Sequence, residues 1–83
     1  MPIDKEFIEL LRSPETNLPL RYAEAAELES VNAQIRAGTA KNRGGDAVSD
    51  PLDQGLVPEG EKVIYPVRDD IPILLITEAI PFG

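Results

Sequence analysis

The sequence contains no cysteine and no histidine among its 83 residues. Without cysteine, the chain can form neither disulfides nor thiolate metal sites. Without histidine, it lacks imidazole ligands for zinc and the most common general base, so the ordinary hydrolase triads are excluded as well. A domain of this length buries only a little over roughly 60% of its unfolded surface, and we therefore expect it to depend on good packing or on a partner chain.

Basic residues are scarce. The chain has 8 Lys and Arg residues and 15 Asp and Glu residues, which give a formal net charge of −7. This excess of negative charge opposes direct binding to nucleic acid and to anionic membrane surfaces. No apolar run reaches the roughly 20 residues of a transmembrane helix, and residues 1–6 lack the basic start and apolar core of a signal peptide. We expect one soluble, cytoplasmic domain that spans residues 1–83.

Apolar residues recur at helical spacing in two segments. The first predicted helix covers Ile3–Arg12, and Pro14 disfavours its continuation. The second covers Ala23–Ala37, with Gly38 as the candidate C-terminal cap. Asn32 lies beside the apolar stripe of this helix and is expected at the boundary of the core rather than in a ligand site.

Short strands are predicted where apolar residues alternate with polar ones or where β-branched residues cluster. They cover residues 18–22, a hairpin of 56–57 with 63–65, and a pair formed by 63–67 and 71–76 around a charged turn at 68–70. Pro66 and Pro72 each remove a backbone donor, so these strands should lie at an edge, start late or carry a bulge. The predicted fold class is α+β, with two helices packed on a small, mainly antiparallel sheet.

The loops show weak candidate sites. The stretch Lys41-Asn42-Arg43-Gly44-Gly45 offers backbone donors to an anion but lacks the lysine and spacing of a phosphate loop, so a solvated loop is the favoured interpretation. The acids Asp46, Asp50 and Asp53 do not have the spacing of a helix–loop–helix calcium site. We therefore predict neither a metal nor a cofactor in this chain.

The charged turn at 68–70 contains the remaining candidate for acid–base chemistry. Asp69 and Asp70 are adjacent, but neighbours on a strand or turn usually point apart and seldom share a proton. Arg68 beside them is expected to form a surface or turn-locking ion pair. We therefore predict no catalytic residue and no enzymatic activity for the chain alone; an acid-dependent enzyme built around the two aspartates is the competing hypothesis.

The stretch Tyr65-Pro66-Val67-Arg68-Asp69-Asp70-Ile71-Pro72-Ile73-Leu74-Leu75 resembles the Tyr-Pro-Ile-Arg-Asp-Gly-Ile-Pro signature of a small-protein family. That family includes the zinc-ribbon-like subunits that activate tRNA, ribosomal RNA and translation-factor methyltransferases, and short bacterial relatives of them. Residues 7–20 resemble the opening Leu-Leu-x-x-Leu-x-Cys-Pro-x-Cys-x-x-x-Leu of the same family, with Ser13 and Thr16 at the cysteine positions. The resemblance implies a zinc-ribbon-like core without zinc, in which residues 24–60 form a helical and loop insertion.

The small subunit of that family does no chemistry; it joins the methyltransferase sheet at a strand edge and covers apolar surface. The resemblance therefore implies a non-catalytic subunit that binds and stabilises or activates an S-adenosylmethionine-dependent methyltransferase, the partner carrying the cofactor. The residues expected to contact this partner are Tyr65, Val67, Arg68, Asp69, Ile71, Ile73, Leu75 and Phe82. The alternative is a structural protein that forms a homodimer through the same edge.

One property of the signature stretch sharpens this expectation. Residues 73–76 are all apolar, so both faces of a strand over 71–76 need cover. If the two helices cover only one face, the other face or edge is the predicted partner site.

Overall fold

The computed structural model describes residues 10–14 and 16–82 of the chain. In chain order, its elements are β1 (Leu20–Tyr22), α1 (Ala25–Ala37), β2 (Gln54–Pro58), β3 (Val63–Arg68), β4 (Ile71–Pro72), a 3-10 helix (Ile76–Glu78) and β5 (Ile80–Pro81). Strands β1 to β4 are neighbours in that order in one antiparallel sheet, and β5 pairs with β3. In this described part, no helix is both long and apolar enough to cross a membrane.

The helix α1 begins and ends where the sequence supplies caps. The Glu24 N–H donates to Glu27 Oε1 at 2.8 Å, and the two residues form a reciprocal capping box. At the other end Gly38 adopts a left-handed conformation (φ 76°), which glycine reaches without a steric penalty. The predicted helix is confirmed, although it begins at Ala25 instead of Ala23.

The capping residue Glu27 also links α1 to β1. Arg21 Nη1 and Nη2 donate to its two carboxylate oxygens at 2.7 and 2.8 Å. These hydrogen bonds are the main reason why the pKa of Glu27 falls from its ordinary value of 4.5 to about 2. Because the pKa of Glu27 is lower in the folded than in the unfolded protein, its ionised carboxylate stabilises the fold at pH values above the unfolded pKa. This contribution is lost as the pH falls from about 4.5 towards about 2.

Glu27→Gln is therefore expected to lower the free energy of unfolding by about 1 kcal/mol near neutral pH, because it removes the charge from a cap and an ion pair. The loss should shrink in acid, where the parent carboxyl is protonated as well. Urea unfolding at neutral and at acidic pH measures both effects. Glu29→Gln is the matched control, since Glu29 pairs with Arg36 where both side chains are exposed. A variant with the same acid dependence as the parent would contradict the assignment.

The core lies on both faces of the central hairpin β2–β3. The antiparallel pairing of these two strands confirms the predicted reversal around residues 58–61. Every residue from 55 to 58 and from 63 to 67 is buried. Because side chains alternate across a strand, the cross-strand partners Leu56 and Tyr65 lie on one face. On the other face, Val57 and Ile64 pack with the buried residues of α1, Val31 and Ile35. The helix thus covers one face of the sheet only.

The prediction of two helices packed on a sheet is wrong, because the described residues contain one α-helix and are mainly β. Most of the predicted helix Ile3–Arg12 lies outside the described residues. Its last three positions are not helical, and Arg12 forms an antiparallel bridge with Pro19. The chain reverses between these residues through Asn17, which is left-handed (φ 58°), and the Ser13 N–H donates to Leu18 O at 3.0 Å. The segment around Pro14 therefore forms part of a chain reversal and not the end of a helix.

The predicted strand 71–76 is also shorter than expected. Asp69 and Asp70 are both left-handed (φ 51° and 62°), as a two-residue type I′ hairpin turn requires, which confirms the predicted turn. Strand β4 nevertheless ends at Pro72, and the chain leaves the sheet after Ile73, whose N–H donates to Pro66 O at 2.9 Å. Because Pro66 has no N–H, it cannot return a hydrogen bond to Ile73, and the ladder is interrupted there.

Candidate functional site

Among the described residues, three of the five exposed large apolar side chains lie in the segment that follows the β3–β4 turn, and the other two are Leu10 and Leu18. Ile71, Leu75 and Ile76 are 61%, 59% and 44% exposed. We call these three residues the apolar surface. Ile73 and Leu74 between them are half-buried, and Leu74 packs against the core face that contains Tyr65. The segment is thus anchored to the core while it presents three large side chains to solvent.

A neighbouring loop supports the end of this surface. The Gly44 N–H donates to Thr77 O at 3.0 Å, and the Arg43 N–H donates to Ala79 O at 2.9 Å. These backbone donors belong to the loop of residues 41–45, whose sequence offers a weak candidate anion site, and they hold the 3-10 helix. The loop therefore fixes the residues next to Leu75 and Ile76.

The structure places the predicted contact residues at different depths. Buried are Tyr65 and Val67, half-buried are Arg68, Ile73 and Phe82, and exposed are Asp69, Ile71 and Leu75. Ile76 was missed, because strand alternation would place it on the opposite face from Leu75, whereas the chain leaves the sheet and exposes both. Pro66 was only a partial signal, because the sequence shows that it lacks an N–H but not that it lies opposite Ile73.

Arg68, for which a surface or turn-locking ion pair was predicted, binds two backbone carbonyl groups. Its Nη1 donates to Pro51 O at 2.9 Å, and its Nη2 donates to Asp50 O at 3.1 Å. The guanidinium thereby holds the loop before β2 beside the end of β3. Arg68 positions this loop next to the turn that precedes Ile71.

Asn32 forms a second tether to the same loop. Its Nδ2 donates to Leu52 O at 2.9 Å, and the Leu52 N–H donates to Asn32 Oδ1 at 2.8 Å. Leu52 is buried and belongs to the core between α1 and the sheet. The sequence placed Asn32 correctly at the core boundary but did not reveal its partner.

Hydroxyl groups occupy the positions that the resemblance aligns with a cysteine pair. Ser13 Oγ shares a buried hydrogen bond of 3.2 Å with Tyr65 Oη and accepts one of 3.4 Å from the Thr16 N–H. Thr16 Oγ1 is buried without a hydrogen-bond partner among the described residues. These contacts join the N-terminal turn to β3 through neutral hydroxyls. Over residues 10–14 and 16–82, no three acidic side chains are grouped as metal ligands.

Tyr65→Phe is expected to lower the free energy of unfolding by about 1 kcal/mol, because Ser13 Oγ loses its buried partner while the ring packing is kept. Urea unfolding measures the change. The matched experiment is a double-mutant cycle with Ser13→Ala, in which the double variant should lose less than the two single variants together. Strict additivity would show that the hydroxyl pair contributes no coupling energy.

The chain is similar to a curated bacterial protein and to a solved structure, whereas no protein-family model matches it. A UPF0434 protein of Rhodopseudomonas palustris (strain TIE-1) is 50% identical over 34 residues, which are 41% of this chain and 52% of that protein. The match therefore spans about half the length of this relative. The solution NMR structure of XF2673 from Xylella fastidiosa gives a TM-score of 0.76 at 34% identity, over 95% of this chain and 81% of that one. The chain thus has a UPF0434 protein as a homologue and a fold close to that of XF2673.

Proposed function

We propose that this homologue of a UPF0434 protein is a non-catalytic interaction subunit of an S-adenosylmethionine-dependent methyltransferase that acts on tRNA, ribosomal RNA or a translation factor. The observation that carries the proposal is the exposure of Ile71 and Leu75 in the segment that resembles the activator signature, and of Ile76 directly after it. Exposed apolar side chains that lie close together in the chain are candidates for an interaction site, because their burial favours association. The partner would carry the cofactor, and this chain would stabilise or activate it.

The way in which the apolar surface is held supports an interaction role. The half-buried Leu74 anchors it to the core, and backbone hydrogen bonds from Arg43 and Gly44 fix the residues that follow Ile76. A contact surface fixed before binding loses less conformational entropy when a partner docks.

Leu75→Lys is expected to abolish capture of the methyltransferase, because the new charge would be buried in an apolar interface. The tagged protein is used to capture partners from native extract, and mass spectrometry compares the recovery of methyltransferases between parent and variant. Leu18→Lys is the matched control. Leu18 is 36% exposed and precedes β1, at the opposite edge of the sheet from β4. Addition of the protein to the recovered enzyme then measures activation.

Two results would contradict the proposal. One is the absence of any methyltransferase above background with the parent protein. The other is equal recovery with Leu75→Lys, since the apolar surface would then have no part in the contact.

A further inference from the structure

The outer edge of β4 has no N–H at the position where a paired strand would need one. Val67 pairs with Pro72, and the Ile73 N–H points inward to Pro66 O. Backbone groups alternate in direction along a strand, so the groups of Pro72 point outward. Proline cannot donate a hydrogen bond, and a strand added here would lose that contact.

The edge of β5 repeats this arrangement. Val63 pairs with Pro81, and the Phe82 N–H donates inward to Lys62 O at 2.9 Å. The outward position is again proline. Both short strands that flank the apolar surface are therefore poor templates for strand addition.

The opposite edge of the sheet is partly covered by the chain itself. Arg12 forms a bridge with Pro19, and the Ser13 N–H donates a hydrogen bond to the carbonyl oxygen of Leu18, just before β1. This bridge pairs Arg12 with the residue that directly precedes β1.

The apolar surface is flanked by acidic residues. Asp69 and Asp70 are exposed and directly precede Ile71, and Glu78 closes the 3-10 helix after Ile76. Arg43, on the loop bonded to Ala79, and Arg68, directly before Asp69, add two positive charges to the region against these three carboxylates. The local balance is negative, as is the formal net charge of −7.

Resting on the proposed function, we infer that the partner binds through an apolar surface rimmed with Lys or Arg side chains, packed on Ile71, Leu75 and Ile76, without adding a strand to this edge. A cationic rim complements the flanking carboxylates and speeds encounter. A second copy of this acidic chain would instead bring like charges together.

The test uses two labelled helical peptides of about 15 residues, both with leucine along one face. One carries lysine on the other face, and the second carries glutamate. Fluorescence anisotropy with the full chain should show binding of the lysine peptide only, weakened by added salt. Leu75→Ser and Ile71→Ser should each weaken binding about tenfold, whereas Leu18→Ser should not. Pro72→Ala, which restores an outward N–H, should leave the affinity unchanged.

Four results would overturn the inference. Equal binding of both peptides, or equal losses at positions 75 and 18, would show non-specific attraction. Tighter binding by Pro72→Ala would indicate strand addition. A concentration-dependent dimer in sedimentation, lost in Ile71→Lys but kept in Glu59→Lys, would identify a second copy as the occupant. Because no methyltransferase is present in these assays, their failure is separate from failure of the capture experiment.

Discussion

Replacing Gly55 with alanine is expected to lower the free energy of unfolding by about 2–3 kcal/mol, as overpacking of a tight core does. Gly55 is buried in β2 opposite Pro66, and an added Cβ would overlap the Cδ1 and Cγ1 atoms of Ile64. Ile64 is fully buried under α1, and its branched side chain has few alternative rotamers. The clash must therefore move the helix or the strand. Urea unfolding of the parent and the variant measures the loss.

The matched control removes the atom nearest to the added methyl group. Ile64→Val deletes Cδ1 and alone should cost about 1 kcal/mol. Combined with Gly55→Ala, it should relieve part of the clash, so the double variant should lose less than the sum of the single losses. Additive losses would show that Gly55→Ala destabilises the fold through the backbone of β2 and not through the contact of its new methyl group with Ile64.

Those parts of the fold that depend on neighbouring residues could be predicted from the sequence. The apolar stripe of α1 is followed directly by Gly38, and the β2–β3 hairpin has Pro58 and Gly60 at its reversal. Each signal lies within a few residues of the structure that it determines. The same reasoning failed for the segment before Pro14, where Arg12 pairs with Pro19 across a turn.

Only the location of the candidate site in the chain could be predicted from the sequence. The signature stretch identified the segment, but burial within it is decided by contacts between distant residues. The break after Pro72 depends on which residue of β3 faces Ile73, and the exposure of Leu75 and Ile76 follows from that break. A strand pattern read along the sequence cannot supply this register.

Asn32→Ala is expected to lower the free energy of unfolding by about 2–4 kcal/mol. The substitution removes both hydrogen bonds to Leu52, a buried residue, and leaves a backbone donor and a backbone acceptor to find other partners. Each buried polar group without a partner costs about 1–3 kcal/mol. Urea unfolding measures the total, and hydrogen exchange of the Leu52 amide, which should become faster, locates the effect.

Asn32→Asp separates the two hydrogen bonds. A carboxylate can still accept from the Leu52 N–H but cannot donate to the Leu52 carbonyl, whereas a protonated carboxyl can do both. This variant should therefore be least stable relative to the parent at neutral pH and recover part of the loss in acid. Arg68 holds the preceding Asp50 and Pro51 from β3, so the loop should open at Leu52 and remain attached at Pro51. Equal acceleration of exchange across the whole chain would instead mean that Asn32 stabilises the fold without a specific hold on this loop.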